Sequence, residues 1–275
     1  QGTLYGSGSI GGAVRIIPNA PKLDEIEGKL NIRYSHTGEA GGKNTMVQGA
    51  INIPVVEDKL AVRTVAYRFE NSGYVKNIAG SVNDANVDAI VAQGGVAADQ
   101  EDIGSDEYTG FRITSLWKPT DELKVSLSYL QQDIEQMGFP EVELNLDGDF
   151  EQVRMGVGPS GNNTGTGFMN NEINITNLTV DYDLGWADLV ASSSWIDYET
   201  SNEQDFSLSL LSFFAVPIYD DNESNSDVFT GELRLASKLN GPFQFLAGLY
   251  YEDIDQAENY IRDWNGDITQ DPGFF

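Results

Sequence analysis

The chain has 275 residues, with 43 acidic against 16 basic side chains and a net charge of −27. That balance excludes nucleic acid as a partner, because phosphate binding needs clustered Lys and Arg. The absence of cysteine excludes a disulfide scaffold and a thiolate metal site, and a lone histidine, His36, cannot build a His-rich site or a Ser-His-Asp triad.

Glycines crowd into the stretch from Gly2 to Gly12, and the short apolar run Ala13-Val14-Arg15-Ile16-Ile17 follows, ended by Pro18 and Pro21. Gly6-Ser7-Gly8-Ser9-Ile10-Gly11 fits the G-x-G-x-x-G spelling of a dinucleotide fingerprint. That fingerprint needs a strand before the glycines and a helix after them. Neither is present: no apolar run precedes Gly6, and the β-branched run that follows is too short and too strand-like. A glycine-rich turn entering a short strand is the plain reading.

Downstream, apolar and polar residues alternate with period two in nine segments. They are 26–36, 44–55, 59–72, 108–118, 123–137, 172–184, 186–200, 227–239 and 243–261. In the first, Ile26, Leu30, Ile32 and Tyr34 oppose Glu27, Lys29, Asn31 and Arg33. In the eighth, Phe229, Leu233 and Leu235 oppose Thr230, Glu232 and Arg234. Helical periodicity is hard to find, and the fold class expected is all-β, an antiparallel up-and-down meander of about nine strands.

The connections alternate in length. Short ones lie at 57–59, 119–122, 183–186 and 240–242. Between them lie a short loop, Gly38–Lys43, and long polar stretches at about 73–107, 137–171 and 200–226. Every tight turn then falls at one end of the strands, as in an outer-membrane barrel with short periplasmic turns and long extracellular loops. The chain has no stretch of eighteen apolar residues for a membrane helix, but barrel strands escape that test. Glu232, Arg234, Gln244 and Arg33 would face a wet lumen, with Tyr34, Trp117, Trp186, Phe229 and Tyr251 as interfacial girdles.

The segment LYGSGSIGGAVRIIPNAP resembles the end of the plug domain in TonB-dependent outer-membrane receptors. Leu4, Tyr5, Gly6, Gly11, Gly12, Ala13, Ile16 and Ile17 stand where that pattern wants them; Ser7 and Pro18-Asn19-Ala20 depart from it. The resemblance implies that residues 1–22 end a plug and that 23–275 are the N-terminal part of a 22-stranded transmembrane barrel. The start at Gln1 in mid-motif and the stop at Pro272-Gly273-Phe274-Phe275 also read as a piece of a longer protein. The implied activity is import of a scarce, large solute, most often a ferric siderophore, otherwise cobalamin or an oligosaccharide. The implied partners are an inner-membrane TonB-type energy-coupling complex, acting through a part of the plug absent here, and the lipid and lipopolysaccharide of a Gram-negative outer membrane. A secreted acidic all-β carbohydrate-binding module is the alternative from another class, and no repeat period supports it.

No catalytic, cofactor-binding or metal-ligating residue is assigned, and no enzyme activity is expected. Carboxylates are too numerous for proximity to be informative, and no G-x-S-x-G occurs. The loop carboxylates read as solvated, extended segments. Asp147-Gly148-Asp149 and Asp263-Trp264-Asn265-Gly266-Asp267 only faintly resemble calcium loops. Phe139, Phe168, Phe213, Phe214, Tyr219 and Trp264 are the aromatics that could stack on a solute ring, without an assigned site.

Overall fold

A computed structural model describes residues 16–93, 95–142, 150–155, 167–205 and 218–264. The elements, in chain order, are β1 (Glu27–His36), β2 (Lys43–Val56), β3 (Leu60–Asn71), β4 (Val75–Ile78), α1 (Ala85–Ala92), β5 (Asp99–Ile103) and β6 (Ser105–Trp117). They continue with β7 (Leu123–Met137), β8 (Glu151–Gln152), β9 (Phe168–Asp183), β10 (Ala187–Asp205), β11 (Ile218–Ser237) and β12 (Leu246–Trp264).

Nine strands form one sheet in the order β1-β2-β3-β6-β7-β9-β10-β11-β12, every neighbouring pair antiparallel. This is the all-β meander expected from the alternation, strand for strand. The tight turns share one end of the sheet. At 57–59, Lys59 N donates to Val56 O at 3.0 Å. At 184–186, Gly185 holds φ +80° and its N–H donates to Asp183 Oδ1 at 2.7 Å. A side chain at that φ would be strained, so glycine is what permits the turn.

The strand boundaries differ from expectation chiefly at the other, long-loop end. There β9 begins at Phe168, β10 runs to Asp205 and β11 begins at Ile218. The stretch 200–226 is therefore strand over much of its length. Apart from Phe168, Met169, Ile218 and Tyr219 at the strand starts, both faces of these extensions are polar, so little alternation marks them, while backbone pairing continues regardless of side chain. β12 starts at Leu246, which puts Gln244 in the preceding turn, donating to Leu239 O at 2.5 Å.

Two of the long stretches are not extended solvated loops. β4 pairs antiparallel with β5 and parallel with β8, and α1 lies between β4 and β5 in the chain. Ala79, Val87, Ile90, Val153 and Met155 form a buried cluster in this small subdomain. The helix is capped by Asp84, whose Oδ1 accepts from Asn86 N at 2.7 Å. Asn77, fully buried, donates to Ala98 O and Arg154 O at 2.9 Å and accepts from Arg154 N at 2.8 Å. Asp102 takes Gly73 N at 2.8 Å and Ser72 Oγ at 2.6 Å, and Asp205 of β10 takes Met155 N at 2.7 Å. The subdomain is thus tied to the ends of β3 and β10.

Candidate functional site

The register divides the sheet into two chemically distinct faces. One face carries, along the half nearest the tight turns, Leu30, Ile32, Val47, Ile51, Ile113, Phe111, Leu127, Leu178, Leu189, Leu233 and Leu249 in matching rows. These side chains are not buried: Leu30 is 68% exposed, Leu127 48% and Leu249 73%. The band is contiguous across nine strands. Soluble monomers rarely carry apolar patches beyond a few hundred Å².

Aromatic rings bound the band. Toward the long loops, Phe111 meets Tyr129 at 5.8 Å, and Trp195, Phe229 and Tyr251 follow each other at 5.3 and 6.0 Å. Toward the tight turns, Trp117, Tyr182 and Trp186 are exposed. Of the expected girdle residues, Phe229 and Tyr251 stand on the long-loop side, where Trp195, not among those expected, joins them; Tyr34 is exposed on the same face toward that end of β1, and Trp117 and Trp186 lie at the opposite border. Beyond the aromatic row the same face turns acidic, with Glu107, Asp133, Glu172, Asp197, Asp227 and Asp255 following in register.

The opposite face is polar at the same level. Arg33, Glu232 and Arg234 lie on it, as the alternation implied. It presents Asn177, whose Nδ2 donates to Ser194 Oγ at 2.9 Å, and Tyr67, whose hydroxyl donates to Gln132 Oε1 at 2.5 Å. Tyr67 lies over Gly110, where a Cβ would fall 2.6 Å from the hydroxyl, and stacks on Phe69 with ring centroids 5.2 Å apart. Ile16, Ile17, Pro18 and Asn19 share a cleft with Lys29, Arg63, Tyr67 and Arg112 of this face. Leu4, Tyr5, Gly6, Gly11, Gly12 and Ala13 lie outside the described residues.

At the long-loop end an open cavity is lined by Glu70, Asp102, Asp106, Glu107, Glu135 and Glu203, with Lys43 the sole cation among its lining residues. Phe168 also lines it. Nearby on β11 and β12, Asp220 accepts from Tyr260 Oη at 2.6 Å and from Arg262 Nε at 2.5 Å. Burial and the Asp220 carboxylate push the Tyr260 phenol up to about 12. At the tight-turn end, Lys238 pairs with Asp183 at 3.0 Å and also with Asp188. The Gly185 N–H and then Lys238 hold Asp183 below the ordinary carboxylate value, and the two carboxylates raise Lys238.

Of the candidate aromatics, Phe168 opens β9 at the cavity, Phe139 lies in the loop after β7, Tyr219 is buried in β11, and Trp264 ends β12. Phe213 and Phe214 lie outside the described residues, as do Asp147-Gly148-Asp149 and the Asn265–Asp267 part of the other acidic run. Among the described residues no three His, Asp or Glu side chains are grouped to hold a metal. Sequence reasoning missed the diagonal neighbourhood of Arg63 and Arg112 on one face of β3 and β6, where Arg63 pairs with Thr114 and Arg112 with Val65, and the exposed Tyr74–Phe150 edge contact at 6.1 Å on the subdomain.

No family model and no curated protein matches the chain. Among solved structures it is similar to a mutant of the ferric enterobactin receptor PfeA from Pseudomonas aeruginosa, with 11% identity and a TM-score of 0.48. The likeness covers 95% of this chain and 44% of that receptor, so the chain spans less than half of its length.

Proposed function

We propose that this chain forms part of the wall of an outer-membrane β-barrel receptor of the TonB-dependent kind, importing a scarce, large solute. One observation carries the reading: the exposed apolar band, bordered by aromatic rings and backed by a polar face. In water that band is a liability. In lipid it is required, since the hydrocarbon faces apolar side chains while every backbone group pairs within the sheet. The two open edges, β1 and β12, are then where further strands complete a closed barrel.

The plug-like motif at Leu4, Tyr5, Gly6, Gly11, Gly12, Ile16 and Ile17 supports the family within the barrel class. The position of Ile16–Asn19 against the polar face agrees with a plug leading into the wall. Residues 1–22 are read as plug and 23–275 as barrel. The solute proposed is a ferric siderophore or similar iron complex, and energy would come from an inner-membrane TonB-type complex through the plug.

The test is to express the full-length protein and follow its fractionation. It should sediment with outer membranes, run faster on gels before boiling than after, and bind a ferric chelate when induced by iron limitation. A soluble product whose mobility ignores boiling would sink the barrel reading. An outer-membrane product indifferent to iron chelates would remove only the solute.

A further inference from the structure

Where the apolar band ends on the long-loop side, its face carries a cleft walled by rings on β10–β12. Trp195 and Phe229 stand opposite each other in register, with centroids 5.3 Å apart and planes tilted by 49°, and Asp253 continues their row on β12. The next row toward the long loops is Asp197, Asp227 and Asp255, again directly opposite one another and lining the same cleft. Like charges directly opposed on neighbouring strands repel. Asp197 has Asn174 Nδ2 at 3.5 Å, and among the described residues none of the four aspartates is in an ion pair. The sheet supplies no cation to them: β9 and β10 contain no Lys or Arg, and Arg234 of β11 and Arg262 of β12 stand on the polar face.

We propose that this cleft holds the ammonium headgroup of a membrane lipid whose chains lie along the band beneath it. Ring faces attract organic cations, and the carboxylates above them complete the charge match. Two observations choose this occupant. Among the described residues no three carboxylates converge on a metal ion, so the matching cation spreads its contacts over rings and several carboxylates, as an alkylammonium does. The cleft is also continuous with the apolar band. Gly231 follows Phe229 on this face without a side chain, and Leu233 with Leu249 comes next, so an open path runs from the rings to the leucines. A lipid that is cationic at its head and apolar below fits both parts, whereas a dissolved amine or a lysine of a soluble partner fits only the upper one. The inference rests on the barrel reading, in which this face meets lipid.

The test uses the full-length protein extracted in detergent and supplied again with lipid, with retained lipid read by native mass spectrometry. Wild-type protein should retain phosphatidylethanolamine over phosphatidylglycerol by on the order of tenfold, as for an ammonium held by rings and carboxylates together. The double variant Asp197→Asn/Asp227→Asn should lose that preference. Trp195→Leu, which keeps the band apolar, should lose it too. Asp181→Asn, on the polar face of β9, should keep it. Equal retention of the two lipids by wild-type protein, or a preference that survives in either of the first two variants, would overturn the site. Capture of an oligolysine peptide in place of the lipid would overturn the lipid source. Wild-type protein that fails to run faster unboiled would instead overturn the barrel reading, and binding of water-soluble dihexanoyl phosphatidylethanolamine then reports on the cleft without a membrane.

Discussion

Leu233→Arg separates a lipid-facing surface from a water-facing one. Leu233 sits in the apolar band, in register with Ala191 and Leu249, and is 42% exposed. Covering that remaining area with lipid is worth roughly 1 kcal/mol, taking about 1.5–3 kcal/mol for a fully buried Leu side chain. A charged side chain near the midplane adds about 2–4 kcal/mol. The sum, about 3–5 kcal/mol, is two to three or more decades in the folding equilibrium. The assay is urea unfolding of the full-length protein refolded into phospholipid vesicles, with tryptophan emission as the readout. Thr230→Arg, on the polar face of the same strand, should stay within about 0.5 kcal/mol of wild type. If Leu233→Arg matches Thr230→Arg, the band does not face lipid and the reasoning fails.

Asn77→Ala should strip two carbonyls and one N–H of their partners in a fully buried position, at about 1–3 kcal/mol per orphaned group. Hydrogen exchange should accelerate in β4, β5 and α1 and not in β9–β11; uniform acceleration would mean that the subdomain and the sheet unfold together. The Lys238 clamp sets a pH window. Asp183 is held below its ordinary 3.8, so its contribution is present above that value and is lost as acid protonates it. Lys238 is raised above 10.5, so its contribution is complete below that value and is lost as base deprotonates it. Lys238→Gln should remove the alkaline loss and reduce the acid one, read from unfolding midpoints across pH; an unaltered profile would show the pairing is idle.

The sheet was legible because its lower half obeys one rule. Where one face meets an apolar phase and the other water, every strand must alternate, and 26–34 or 229–235 do so in plain sequence. The tight turns were legible through Asp58 and Gly185, both at positive φ. The subdomain was not, because Val75, Ile90, Ile103 and Met155 come from separate segments and meet only through tertiary pairing. Its helix did leave a trace in Asp84, followed by Val87 and Ile90 at helical spacing, but eight residues within an acidic stretch give a faint signal. Arg63 and Arg112 stand on different strands, so their proximity is a property of register alone.

Strand length explains where the acidity goes. β1 has 10 residues, β7 has 15, and β10, β11 and β12 have 19, 20 and 19. Crossing a hydrocarbon layer takes about 9–11 tilted residues. At about 3.3 Å per residue and a tilt near 45°, twenty residues rise about 47 Å, some 20 Å more than the roughly 25 Å apolar band of a barrel. The surplus lies at the long-loop end, since the band adjoins the tight turns. There Glu199, Glu203, Asp220, Asp221, Glu223 and Asp255 stand on strands rather than on loose loops. Like charges on a free loop separate at little cost, but on a sheet the ladder holds them a strand spacing apart, about 4.8 Å. The cation that offsets them must be fixed as well, and Arg262 on Asp220 with Tyr260 is such a fixture. Of these six carboxylates Asp220 alone lies on the polar face, so most of this rigid acidic field continues the face of the apolar band beyond its aromatic row.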